Sequence, residues 1–300
     1  MNENKKIARL YVFLTVIIAV VAVMFQYILY ENYLEIDNNI YIHGAKTPGA
    51  FYIFIFIAVI LLATPALIFR KDLLPNEMKR GSFLTAVTSL LSAGTVAFMV
   101  VAYFKENNVI SAVTDSALNT IEKLKLACVI ISIFVFAYYI AVALFGKNKS
   151  GFITFLSFFP VIWTLLFLMC LYFDRSGVLN SPVKVLRQVA LIVFMLYELL
   201  ESRASLGKSK PIIYFIFSNL AVVFLSVAFV PEIIYILQGA LELTVDYLFG
   251  VYCGVSVLYV LSRSIAFAES SNGNIVYMRN KHSHKTKEKV GLFNPDEDAE

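Results

Sequence analysis

Apolar stretches of about 20 residues, each long enough to cross roughly 30 Å of hydrocarbon as a helix, recur along most of this chain with only short polar connections between them. A chain patterned in this way has no water-soluble fold in which to bury its apolar faces. Composition agrees: 59% of the 300 residues are hydrophobic, 15% are charged, and the mean hydropathy is +0.76. The pattern predicts an all-α integral membrane protein. It excludes a secreted enzyme, a disordered scaffold and a nucleic-acid-binding domain, so no nucleic acid is expected as a partner.

The apolar runs predict eight spans, at 10–30, 50–69, 82–104, 126–146, 152–173, 185–202, 211–230 and 241–262. The sixth has a short apolar centre, Val189 to Leu200, and is retained on the distribution of charge. With eight spans, 18 of the 25 Lys and Arg residues fall in alternate connections, including Arg70, Lys71, Lys79, Arg80, Arg203, Lys208, Lys210, Arg263 and the last cluster near the C-terminus. The cytoplasmic bias of basic residues then places both termini inside. Residues 1–265 read as one polytopic domain, and 266–300 as a cytoplasmic tail, basic at Arg279, Lys281, Lys285, Lys287 and Lys289 and then acidic to Glu300. Such a tail is expected to be disordered and to associate with anionic lipids of the inner leaflet.

Proline placement follows the same boundaries, with Pro48, Pro75, Pro182, Pro211 and Pro231 at or between span ends and only Pro65 and Pro160 inside, where each should bend its helix. Trp163 is mid-span and reads as core packing. The basic start followed by Leu10 to Tyr30 is too long for a cleaved leader and reads as a retained first span. Within the connection between spans three and four, Val109, Ile110, Val113, Ala117, Ile121 and Leu124 recur at helical spacing, forming a surface helix or an outward extension of span four. Pro231 to Ala240 is apolar but short, which suggests an interfacial or shallow re-entrant turn.

Catalytic signatures are missing. The histidines, His43, His282 and His284, lie outside the spans, and Cys128, Cys170 and Cys253 lack disulfide or zinc spacing, so no metal or cofactor is expected. The candidates are therefore the ionisable and polar groups inside spans, which are costly in hydrocarbon and mark function unless they are paired. These are Glu198 and Glu201 in span six, Asn219 in span seven and Asp246 in span eight, which by depth form a polar column across the bilayer. Glu198 alternatively reaches the inner headgroups or pairs with Ser202 and Arg203. Gly250 and Gly254 form GxxxG, allowing close helix approach in the bundle, in a homo-oligomer or around a cavity. Ser89, Ala93 and Ala97 on span three, beside Thr85, Thr88, Ser92 and Thr95, mark helix packing or a polar lining.

The stretch Phe159-Pro160-Val161-Ile162-Trp163 through Leu179-Asn180-Ser181-Pro182 to Tyr197-Glu198-Leu199-Leu200-Glu201-Ser202-Arg203 and Leu206-Gly207-Lys208-Ser209-Lys210-Pro211 resembles uncharacterised multi-pass membrane proteins of Gram-positive anaerobic bacteria. The resemblance implies a bacterial plasma membrane and attaches no activity. The residues leave two main functions: a small-solute or ion permease using the buried carboxylates, or a non-catalytic membrane subunit, sensor or assembly factor acting through helix packing and its tail on a partner protein. An intramembrane enzyme would have only carboxylates and hydroxyls to work with.

Overall fold

The computed structural model describes residues 3–35, 40–42, 46–68, 82–106, 119–146, 151–174, 181–208 and 210–270. Its helices are α1 (Glu3–Tyr33), α2 (Thr47–Ile68), α3 (Phe83–Glu106), α4 (Thr120–Phe145), α5 (Gly151–Leu156), α6 (Phe158–Phe173), α7 (Pro182–Ser205), α8 (Pro211–Leu237) and α9 (Val245–Ser270). Between α1 and α2, β1 (Leu34–Glu35) pairs antiparallel with β2 (Ile40–Tyr41). Everything else regular among the described residues is helical, as the apolar runs require.

Seven helical segments, counting Gly151–Phe173 as one, are long and apolar enough to cross a bilayer. The remaining helix, α7, is 24 residues, about 36 Å at 1.5 Å per residue, but carries Lys184, Arg187, Glu198, Glu201 and Arg203. Its side-chain partners place it in the bundle all the same. Along α6, Ser157 meets Ser202, Thr164 meets Glu198, and the Asp174 carbonyl accepts from Lys184; along α8, Glu201 meets Tyr214 and Arg187 meets Glu232. These pairs run antiparallel along the length of α7, so it traverses the same thickness as its neighbours. Arg9 approaches Glu269 at 4.0 Å, which puts both ends of the described chain on one side, here called the terminal face, opposite the far face.

The centre of the bundle is α9. Of its most apolar stretch 72% is buried, against 28% for the peripheral α2. It packs on α1, α3 and α8, while Trp163 of α6 lies edge-on to Tyr252 (4.6 Å) and Tyr139 of α4 bonds Tyr252. Trp163 is fully buried, and its indole N–H donates to Ser132 Oγ at 2.8 Å, which satisfies the one polar atom a core tryptophan brings. The outer faces of α1 and α2 expose Leu10, Phe13, Met24, Ile53, Phe56 and Ile60. A continuous apolar belt of this kind is a liability in water and the natural surface in lipid.

Several boundaries differ from expectation. Pro231 does not start a re-entrant turn: α8 continues through it to Leu237 and closes with Gly239 at φ 73°. The ring removes the N–H partner of the Val227 carbonyl and crowds that carbonyl, and the helix continues through Pro231 and Glu232, both buried. Pro160 sits in the first turn of α6, just after the interruption at Ser157, where its missing N–H is not needed. Pro65 stays inside α2. The last span starts at Val245 rather than 241 and runs to Ser270, past the limit at 265, so Arg263 lies inside the bundle and not in a connection. Ile121 and Leu124 begin α4, while residues 107–118 and the tail from 271 lie outside the described residues.

The Gly250/Gly254 stripe is covered by α8 within the chain itself. A Cβ at position 254 would stand 2.4 Å from Ile233 Cδ1, and one at 250 would stand 3.2 Å from Glu232 Oε2 and 3.3 Å from Phe229 Cδ1. Gly254→Ala is therefore expected to be tolerated by rotation of Ile233. Gly254→Leu should push α9 off α8 and cost about 1–3 kcal/mol, read as a lowered unfolding temperature in detergent.

Candidate functional site

Because α7 brings its charges into the bundle, each needs a partner from another helix, and the partners fall in layers. Nearest the terminal face, Glu201 Oε1 accepts from Arg263 Nη2 of α9 at 2.7 Å and Oε2 accepts from the Tyr214 hydroxyl of α8 at 2.6 Å. The ion pair is enclosed, with side-chain exposures of 9% and 3%, so neither charge is screened by water.

About one turn further in, Glu198 Oε2 accepts from Thr164 Oγ1 of α6 at 2.7 Å, while Oε1 has no hydrogen-bond partner among the described residues. Around it, Tyr139 bonds Tyr252 at 3.0 Å and Tyr138 bonds Tyr259 at 3.2 Å; the buried Tyr197 hydroxyl has no partner among the described residues. The space between Tyr138, Tyr139, Tyr197, Tyr259, Glu198 and Glu201 is about 10 Å³, room for no more than a water. Ser202 Oγ donates to the Ser157 carbonyl at 2.6 Å, tying α7 to the break between α5 and α6.

Toward the far face, Arg187 Nη2 meets Glu232 Oε2 at 3.1 Å. This pair borders a cavity of about 630 Å³ whose walls include Lys125, Phe167, Phe229, Asp246 and Phe249. Arg187, Glu232 and Tyr247 also border a second cavity of about 380 Å³ with Tyr30 and Tyr235, so the ion pair lies in the partition between the two. Above it the β1–β2 ladder is pinned to α1 by Gln26 Nε2 donating to Tyr41 at 3.1 Å, and burial pushes the Tyr41 phenol above its ordinary range, keeping it neutral.

The sequence candidates divide accordingly. Glu198 and Glu201 come together in the column, with Glu198 held by Thr164 rather than by Arg203. Asn219 faces α1: its oxygen accepts from Thr15 at 3.0 Å, and its nitrogen closes on the Phe215 carbonyl of its own helix at 2.6 Å. Asp246 is in the first turn of α9, 64% exposed and 2.5 Å from Lys125, at the cavity wall rather than in the bundle interior. Ser89 and Ala93 are buried, Ala97 is partly buried, and Thr88 bonds Ser262 of α9 at 2.9 Å, so this stripe is a helix contact.

Glu232 and Arg263 were not singled out by sequence, and Arg187, inside span six, was given no partner. Arg263 was counted with a connection, and Glu232 was read into the interfacial turn after Pro231. Their signal was lateral, since each is the opposite charge that α7 or α8 needs at that depth. Among the described residues no three potential ligands group for a metal ion. The thiols of Cys128 and Cys170 meet between α4 and α6, and both are free. No family model matches the chain, nor does any curated protein or solved structure.

Removing one partner of the enclosed pair leaves the other as a buried lone charge. Glu201→Gln or Arg263→Gln should each cost about 3–5 kcal/mol, and the double variant should recover part of that sum, a coupling measurable by equilibrium unfolding of the four proteins in a double-mutant cycle.

Proposed function

We propose that this multi-pass membrane protein is a small-solute or ion permease of a bacterial plasma membrane, with both termini cytoplasmic. The observation that carries the reading is Glu198, an enclosed carboxyl group with one oxygen unpartnered, lying between a far-face cavity and the Glu201–Arg263 pair. A group so costly to keep in hydrocarbon is retained where a solute or ion passes. The solute would enter from the far face, stop at Arg187–Glu232, and reach Glu198 only when the tyrosine layer parts.

The interrupted helix α5–α6 supports such a movement. The Ser157 break lies beside Ser202, one turn from Glu198 and toward the terminal face, and discontinuous helices beside a site are a recurrent element of alternating access. In this reading the basic tail residues Arg279, Lys281, Lys285, Lys287 and Lys289 hold the C-terminal segment to anionic inner-leaflet lipid. The dense packing of the tyrosine layer favours a second reading, a membrane subunit that works through its partners and has no through-going path.

Accessibility separates the two. In a chain freed of Cys128, Cys170 and Cys253, a cysteine at 246 is expected to react with a membrane-impermeant thiol reagent from the far face only, and one at 219 to be protected throughout. A cysteine at 198 is expected to react under an imposed ion or proton gradient and to be protected at rest. Protection of 198 from both faces under every gradient would remove the permease and leave the packed subunit.

A further inference from the structure

The Arg187–Glu232 pair leaves hydrogen-bonding capacity unused on the guanidinium. The Glu232 side chain is 6% exposed and that of Arg187 25%, Nη2 meets Oε2, and the buried Nε of Arg187 has no acceptor among the described residues. Nε and Nη2 form the edge of the guanidinium that matches an oxyanion bidentately, and here only half of it is engaged. The buried hydroxyl of Tyr30 stands beside the same guanidinium as its electrostatic and hydrogen-bonding neighbour.

The surroundings say what would complete the site. The larger cavity, at about 630 Å³, is of the size that holds small organic solutes, and its wall carries four carboxylates (Glu122, Asp174, Glu232, Asp246) against two cations (Lys125, Arg187). Phe167, Phe229 and Phe249 line it as well, with Phe167 and Phe249 stacked at 5.3 Å. An anion alone would face this surplus of negative charge, and a cation alone would leave Nε without an acceptor. From this geometry we propose that the pair is a binding site for a small zwitterion, an oxyanion and an ammonium on one molecule. The oxyanion takes Nε and Nη2 of Arg187 together, Glu232 is released to the ammonium, and the single ion pair is exchanged for two. The two cavities then join through the parted residues. This assignment rests on the permease reading for its purpose and on the far-face geometry alone for its chemistry.

The test uses the full chain in nanodiscs of phosphatidylglycerol, titrated with each free amino acid, and with acetate and methylammonium as the separate halves of the zwitterion. At least one amino acid is expected to raise the unfolding temperature saturably, while the halves, alone or together at equal concentration, do not. Arg187→Gln and Glu232→Gln should each weaken this binding tenfold or more. Gly250→Ala, whose methyl would stand 3.2 Å from Glu232 Oε2, is a gentler variant expected to weaken it without removing a charge. Stabilisation that instead requires phosphatidylethanolamine in the disc, with the same sensitivity to the variants, assigns the zwitterion to a lipid headgroup. No saturable effect from either source, or equal stabilisation by the separate ions, overturns the site. Binding without uptake into vesicles keeps the site and removes the permease, whereas uptake of a solute lacking an oxyanion does the reverse.

Discussion

A carboxylate and a guanidinium 2.7 Å apart, with a tyrosine hydroxyl on the second carboxylate oxygen, join α7, α8 and α9 at Glu201, Arg263 and Tyr214. In a bilayer such charges have no water to fall back on, so the three helices must be in register for any of them to be buried. That requirement explains why α7, the least apolar of the long helices, lies in the bundle and not on its surface. It is also consistent with the central place of α9, which supplies the cation that Glu201 meets.

The same reasoning extends along α7. Its inward charges reach all three packed neighbours: Glu201 meets α9 and α8, Glu198 meets α6 and Arg187 meets α8. Their depths follow from the rise of one helix, with Arg187 and Glu198 about 17 Å apart along the axis. The enclosed tyrosines between the two ion pairs form a closed septum, while the cavities begin on its far side. The proposed passage and the proposed zwitterion site are thus two consequences of one constraint, that opposite charges from separate helices must meet inside an apolar belt.

Much of the fold was legible in the chain. Apolar runs located the helices to within a turn or so at most ends, and charge alternation retained the sixth span, although its apolarity alone would not have supported it. Prolines were less reliable. Pro160 and Pro231 are both buried, yet one follows the helix break at Ser157 and the other lies within continuous helix, a difference of tertiary environment and not of residue type. For the site, Glu198 and Glu201 were visible because charges are conspicuous in an apolar run. Asn219 was visible for the same reason, but its amide proved to be a tie to Thr15 outside the column.

Hydrophobic period and length are properties of each segment by itself, and for that reason the sequence alone determined the helical class, the approximate place of most helices and the identity of the polar residues within them. Azimuth is not such a property. Which face of α8 turns toward Arg187, whether Asp246 enters the bundle or stays at its cavity wall, and which cation answers Glu201 all depend on rotations of separate helices about their axes. Those rotations are set jointly by close packing, as where Gly250 and Gly254 admit α8, and by the pairing of charges that lipid does not solvate. Only the assembled bundle decided them.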